Sequence, residues 1–248
     1  MYGWMGKVLR VDLTGGKITE EDLDPKVARD YLGGRGLGMY YLNSEMDAAC
    51  DPLSSENLLI MATGPLTGTR APTGARYMVV AKSPLTGAIT GSNSGGKFPK
   101  EFKKTGYDAI IFSGAAKNPV YLWIDKGKAE LRDAAHVWGK TVNETTDLLV
   151  SETEPKAKVA CIGPAGENKV LFAAIMNDKD RAAARSGVGA VMGSKNLKAV
   201  VVRGDKDVPL AHPEEFKKLR SNVLKKYKEM NQGNPPLLRA YGTSYSVA

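Results

Sequence analysis

The chain has 248 residues, 42% hydrophobic and 25% charged, a composition that suits a globular protein with one large core or two modest ones. No apolar run approaches the roughly 20 residues of a membrane span, and the opening MYGWMGKVLRVDL lacks the features of a secretory leader. The net charge of +8 admits nucleic acid, anionic lipid or phosphorylated ligands, although much of it falls in the late run KKLRSNVLKKYKE, which reads most simply as a solvated helix face.

In chain order, GKVLRVDLTGGKITEEDL predicts a hairpin, with Val8, Val11, Leu13 and Ile18 as strand formers and Thr14-Gly15-Gly16 as the turn. Asp24 and Pro25 then open a helix that Gly33-Gly34 ends. The run Asn57–Pro65 is of buried-strand type and RYMVVAK is another strand. A second strand and a loop of small residues, Gly91 to Gly96, precede a short helix and the strand Asp108 to Phe112. PVYLWIDKGKAELRD predicts a hairpin turning at Asp125–Lys128, and Thr141 with Glu144 forms a capping-box pair that starts a helix. Strand KVACIGP, a strand or helix in KVLFAAIMND, a Gly/Ala/Arg loop from Asn177 to Gly193, and strand KAVVVRG follow. After Pro209, Phe216, Leu219, Val223 and Tyr227 mark one face of an amphipathic helix, and the tail QGNPPLLRAYGTSYSVA reads as a linker. The expected class is α+β, with two mainly antiparallel sheets covered on one side and few short helices.

Two stretches echo each other. LLIMATGPLTG…SNSGGKFPKEFKKTGYDAIIFSG and KVACIGPAGE…RSGVGAVMGSKNLKAVVVRG each run apolar strand, Gly-Pro, an arginine-bearing middle, a glycine-rich turn, a short helix, strand and Gly. YDAIIFSG aligns with LKAVVVRG. Chance recurrence of turn elements is one explanation; a duplicated α+β unit with pseudo-two-fold symmetry is the other. Duplication presents two similar loops to one ligand, or to a ligand with two halves.

The first loop, Gly91 to Gly96, lies at a predicted helix start, where unpaired N–H groups and bare backbone favour an anion. The second carries Arg181 and Arg185 ahead of Gly187-Val188-Gly189, and guanidinium forks suit phosphate or heterocycle carbonyls. Each cluster also has a plain alternative: a turn for the glycines, a surface ion pair for Arg76, an Asx-turn for Asn93. Familiar motifs fail. Gly139-Lys140-Thr141 lacks the P-loop glycine five residues earlier, where Ala134 stands, and GGRGLG does not match GxGxxG. His136 and His212 are the two histidines, and neither sits in a nucleophile arrangement. Cys50 and Cys161 form no ligand cluster, which argues against a zinc or iron–sulfur site within these residues and fits a reducing cytoplasm. The residues alone thus point to a phosphorylated, two-part ligand and show no catalytic group.

The blocks GPLTGTRAPTGARYMVVAKSPLTGAITGSNSGG, GYDAIIFSG, HVWGKTV, IGPAGENKVLFAAIMND and RSGVGAVMGSKNLKAV, with GWMGKVLRVDLTGGKI and YLGGRGLGMYYL, resemble the N-terminal domain of the tungsten-containing aldehyde:ferredoxin oxidoreductase family. The likeness covers residues 1–210, and residues 211–248 then read as an amphipathic helix and the start of a following domain. It implies a duplicated α+β base for a tungsten bis-molybdopterin cofactor, with a magnesium ion linking the two pterin phosphates. It places Arg76, Asn93 and Gly95 against one half of the cofactor. Arg181, Ala182, Ala184 and Arg185 fall against the other, with Asn93 and Ala182 supplying oxygen to magnesium. Ala184 departs from the family's frequent Gly. The implied reaction oxidises an aldehyde to a carboxylic acid, with electrons passing through a [4Fe–4S] cluster to ferredoxin. Cluster cysteines and substrate-side acids belong to later domains in that family, so this chain alone is expected to be inactive. A non-catalytic pterin-binding module, or a subunit completed by another chain, fits the same loops. A nucleic-acid-binding protein is the remaining reading, disfavoured because the basic residues are dispersed and no aromatic-basic motif is present. Neither nucleic acid nor membrane is an expected partner, and a homo-oligomer is left open.

Overall fold

The fold is seen in a computed structural model that describes residues 1–230, 237–242 and 244. The first half contains β1 (Lys7–Asp12), β2 (Lys17–Asp22), α1 (Pro25–Tyr31), α2 (Gly34–Glu45) and β3 (Leu59–Thr63). It continues through β4 (Tyr77–Lys82), β5 (Ile89–Ser94), α3 (Phe98–Lys104) and β6 (Ala109–Ser113). The second half contains β7 (Val120–Asp125), β8 (Lys128–Asp133), a 3-10 turn (Ala135–Val137), α4 (Val142–Glu152), β9 (Lys158–Cys161) and α5 (Pro164–Glu167). It continues through β10 (Ile175–Asn177), β11 (Arg181–Ala183), α6 (Val188–Ser194) and β12 (Leu197–Arg203). Helix α7 (Pro213–Met230) and the short α8 (Leu237–Tyr241) follow. Most of the tail expected as a linker lies outside the described residues. No helix among the described residues is long and apolar enough to cross a membrane.

The expected two mainly antiparallel sheets are present, and the duplication is visible in their topology. One sheet has the order β2-β1-β6-β3-β4-β5, the other β8-β7-β12-β9-β10-β11. Each contains one parallel pair, β1 with β6 and β7 with β12, and its other pairings are antiparallel. The register extends the correspondence residue by residue. Starting from the aligned Ala109 and Ala199, one rung runs Ala109–Ala62–Met78–Asn93 and its counterpart Ala199–Cys161–Met176–Ala182.

Both faces of each sheet are covered, not one. A central core takes Val79, Ile110 and Phe112 from the first sheet and Ile124, Val200 and Val202 from the second, with Phe98 and Phe102 of α3 and Val191 of α6 between them. Helices α1 and α2 cover the outer face of the first sheet, α1 through Val27 and Ala28 and α2 through Leu37 and Leu42, and α4 covers that of the second through Leu149. Fully buried strands such as β3 are consistent with this two-sided cover. Each fully buried Leu, Ile or Phe contributes about 1.5–3 kcal/mol.

Local chemistry sets the element ends. Asp24 accepts a hydrogen bond from the Lys26 amide at 2.7 Å and Pro25 occupies the first turn of α1. Thr141 and Glu144 form the expected capping box on α4. The helix after Gly33-Gly34 lacks a clear sequence signal, because three of its first five residues are glycine. Packing explains them: a Cβ at Gly33 would lie 2.7 Å from the Thr63 carbonyl oxygen, and one at Gly38 would lie 2.6 Å from Val80 Cγ2. The backbone of α2 can therefore lie directly on β3 and β4.

Candidate functional site

The segment Gly91 to Gly96, expected as a loop, is largely strand. Strand β5 pairs with β4 from Lys82↔Ile89 to Tyr77↔Ser94 and leaves its other edge unpaired within the sheet. The period of two sorts its side chains. Ser92 and Ser94 are buried toward the other half, whereas Gly91 and Asn93 face the side where α2 begins. The stretch Asn177 to Gly193, also expected as a loop, starts on the last residue of β10 and holds the edge strand β11 and most of helix α6. Small residues concealed the later part of β5 and all of β11: Gly and Ala carry little strand signal, yet they suit an edge that a ligand can approach.

Strand β11 packs beside β5, so the two edges meet across the pseudo-two-fold relation. Asn93 and Ala182 occupy equivalent rungs on them. Arg76, exposed just before β4, donates from Nη1 to Asn93 Oδ1 at 2.9 Å. Asn93 Nδ2 donates to the Tyr77 carbonyl at 3.3 Å and lies 3.0 Å from Met78 Sδ. The surface ion pair and the Asx-turn considered for these two residues are thus replaced by a cross-strand pair. Thr73, Gly74 and Arg76 form the wall shared by two open cavities. One, about 310 Å³, is lined by Gly33, Gly34, Thr73, Gly74 and Asn93; the other, about 330 Å³, by Ala71, Gly74, Gly95, Gly96 and Arg181.

Gly95 lies on the second cavity, and a Cβ there would be 3.4 Å from Arg76 Cδ and Nε. Arg181 is exposed and pairs loosely with Asp180 at 3.7 Å. Ala182 is half-buried, and Ala184 and Arg185 are exposed. Arg185 is brought to the first edge through its backbone, whose N–H donates to Ser92 Oγ at 3.1 Å. Arg35 joins this group without having been anticipated. It sits at the start of α2, and a Cβ at Gly91 would lie 3.1 Å from its Nε. Its signal was the GGRGLG stretch, set aside because it does not match a dinucleotide motif. Among the described residues no three His, Cys, Asp or Glu side chains cluster as a metal site. Cys50 and Cys161 are buried free thiols, and burial pushes the Cys161 thiol up to about 11.

The arrangement offers two strand edges of bare backbone with guanidinium groups on each, and no paired acid and base. It can hold an anionic ligand that spans both halves. The described groups here fit a phosphate-bearing cofactor with an oxygen-bound cation, because donors and backbone carbonyls alternate along the edges.

Residues 8–204 match the family model described as the aldehyde ferredoxin oxidoreductase N-terminal domain. The chain is 55% identical, over its whole length, to the tungsten-containing aldehyde ferredoxin oxidoreductase of Pyrococcus abyssi, of which it spans 41%. It is 58% identical to the Pyrococcus furiosus protein of that name, over 87% of this chain and 36% of that one. Among solved structures, a chain of the active-site complex BamBC of benzoyl coenzyme A reductase, in complex with 1,5-dienoyl-CoA, superimposes with a TM-score of 0.91. That match has 45% identity and covers 94% of this chain and 36% of the other. The chain belongs to the family of the aldehyde ferredoxin oxidoreductase N-terminal domain.

Proposed function

We propose that this chain is the cofactor base of a tungsten bis-molybdopterin oxidoreductase, with residues 1–210 forming the base and 211–248 leading into a further domain. The observation that carries the reading is the equivalence of Asn93 and Ala182 on facing edge strands. A cofactor of two pterin halves joined through phosphates and magnesium matches a site with that internal symmetry. Arg76, Asn93 and Gly95 hold one half, and Arg181, Ala182, Ala184 and Arg185 the other. Oxygen atoms of Asn93 and Ala182 would serve as ligands to the magnesium ion. When bound, the cofactor supplies two-electron oxidation of an aldehyde to a carboxylic acid, with electrons leaving through a [4Fe–4S] cluster to ferredoxin. This chain's own part is to bind and orient. Its arginines neutralise phosphate charge, and its small residues let the ligand reach the main chain.

A second reading, a subunit completed by another chain, draws on the likeness to a chain of a complex. The same assay addresses both: pterin, magnesium and tungsten content of chain purified from a tungstate-supplied host, beside Arg76→Ala and Arg181→Ala. Pterin and magnesium are expected in the parent and lost in the variants. Equal content in all three would refute the assigned contacts. Activity that returns only with a separately encoded partner would favour the subunit.

A further inference from the structure

We propose that Asn177 and Asp178 are positioning residues: they tie the two ligand-facing edges into one frame and so fix the gap across which a single ligand is held. This rests on the cofactor reading above and adds to it two residues to which that reading gives no ligand contact.

The register identifies Asn177 as a break in the internal symmetry. It stands where the first half has Val79, since Met61 opposes Val79 and Ala160 opposes Asn177. A buried amide at a duplicated core position is costly unless it is fully bonded. Asn177 is 1% exposed, and its partners all lie around one joint. Its Nδ2 donates to the Gly95 carbonyl at 2.8 Å and to Asp178 Oδ2 at 3.1 Å. Its Oδ1 accepts from Ser94 Oγ at 2.6 Å and from the Tyr77 hydroxyl at 3.4 Å. The Asp178 carboxylate accepts the Lys97 amide and, at 3.1 Å, the Phe98 amide, which caps the segment leading into α3. Asp178 and Lys179 hold φ of +50° and +67°, an uncommon backbone for non-glycine residues.

Further bonds run the same way across the halves. Arg185 N–H donates to Ser92 Oγ, and Ser83 Oγ donates to the Ser186 carbonyl at 2.8 Å. The sheets themselves share an extensive apolar core and do not depend on this joint to stay together. What the joint determines is where Asn93 and Gly95 lie relative to Arg181 and Ala182.

The test uses Asn177→Val, which installs the first half's residue, with Asp178→Ala and Asp178→Asn. Two quantities are read: amide hydrogen exchange, and pterin and magnesium per chain from a tungstate-supplied host. Asn177→Val and Asp178→Ala are expected to speed exchange over 93–98 and 181–186 about tenfold, with β6 and β12 unchanged, and to lower pterin and magnesium about tenfold. Asp178→Asn keeps an acceptor oxygen and is expected to stay near the parent. Unchanged exchange at both edges overturns the proposal. So does acceleration that spreads equally into β6 and β12, or altered edges with full cofactor content. If Asn177→Val does not fold, Ser94→Ala removes one partner at the same joint and must give the same local pattern. A parent chain without pterin or magnesium overturns the cofactor reading; the edge coupling is then decided by the exchange pattern.

Discussion

The two halves have the same strand order but differ at their edges. Strands β4 and β5 are six residues each, whereas β10 and β11 are three each and joined by a turn with left-handed Asp178 and Lys179. The inner strands β6 and β12 kept a readable likeness because both are buried between layers, where volume and strand propensity limit the alternatives. The edges face open cavities and each other, where packing constrains their residues less. The comparison separates what a duplicated fold must keep, the core rungs, from what it can change, the rim.

Charge reversal inside the core gives the most severe way to break the comparison. The position before Ala109 is Asp108, and its equivalent before Ala199 is Lys198. Asp108 pairs with Lys103, and Lys198 with Glu167; both pairs are buried. Removing one partner of such a pair costs about 3–5 kcal/mol. Asp108→Ala is expected at the upper end, because its carboxylate also accepts the Met5 and Gly6 amides at 3.1 and 2.7 Å. Glu167→Ala is expected lower, because Glu167 accepts one main-chain amide, that of Gly139 at 2.8 Å. Denaturant melts of the two variants check the order, and equal losses would mean the extra amide bond adds nothing.

Lys195 sharpens the comparison through pH. Its equivalent in the first half, two residues before the aligned Tyr107, is Thr105. The Lys195 ammonium is buried and donates to the carbonyls of Gly114 at 2.8 Å and Ser55 at 3.4 Å. Burial nonetheless pulls its pKa down from 10.5 to about 8. Between those values the unfolded chain binds more protons than the folded one, so this residue makes stability rise with pH. The full penalty holds below about pH 8 and is gone above 10.5, a change of about 3 kcal/mol. The stability gap between parent and Lys195→Met, followed from pH 7 to 10.5, should move in the parent's favour by about that amount. A flat gap would refute it.

Arg76 and Arg181 test the two rims. Each charge-assisted contact to phosphate is worth about 1.5–3 kcal/mol. Arg76→Ala and Arg181→Ala should each lower cofactor content, since both side chains border the cavity that Gly95 and Gly96 line. Neither should move the denaturation midpoint appreciably, because both side chains are exposed.

The fold was legible where side chains carry a period or a cap. The β1–β2 and β7–β8 hairpins, the capping box of α4 and the likeness of β6 to β12 all came from such residues. Strand β5 was legible only at its start and β11 not at all, because Gly, Ser and Ala have weak strand preference and their pairing is set by neighbours distant in sequence. Helix α2 was hidden by glycines that packing demands. Of the cradle, the arginines and Asn93 were legible as chemistry, and the register that makes Asn93 and Ala182 equivalent needed the folded sheets. Arg35 and Asn177 were not legible, since one lies in a helix start without a motif and the other reads as a polar end to an apolar run.

The smallest expected effect concerns the outer helices, where the halves also differ. Helix α1 is capped by Asp24 on one amide, whereas α4 has a reciprocal box in which Thr141 and Glu144 bond each other's main chain. Thr141→Ala should cost about 1 kcal/mol near neutral pH. The Glu144 carboxylate is held below its usual pKa, chiefly by the Thr141 hydroxyl and then by the Thr141 amide. A group with a lowered folded pKa stabilises fully above its unfolded value and loses that contribution as pH falls through the folded one. The alanine variant keeps the amide donor but not the hydroxyl. Its deficit should therefore narrow as the solution is taken from pH 6 to below the carboxylate range. Thermal midpoints of parent and variant at pH 6 and pH 3 read this directly. A deficit of the same size at both would mean that the Thr141 side chain acts only as a cap for the Glu144 amide, and that the bond from its hydroxyl to the Glu144 carboxylate adds nothing.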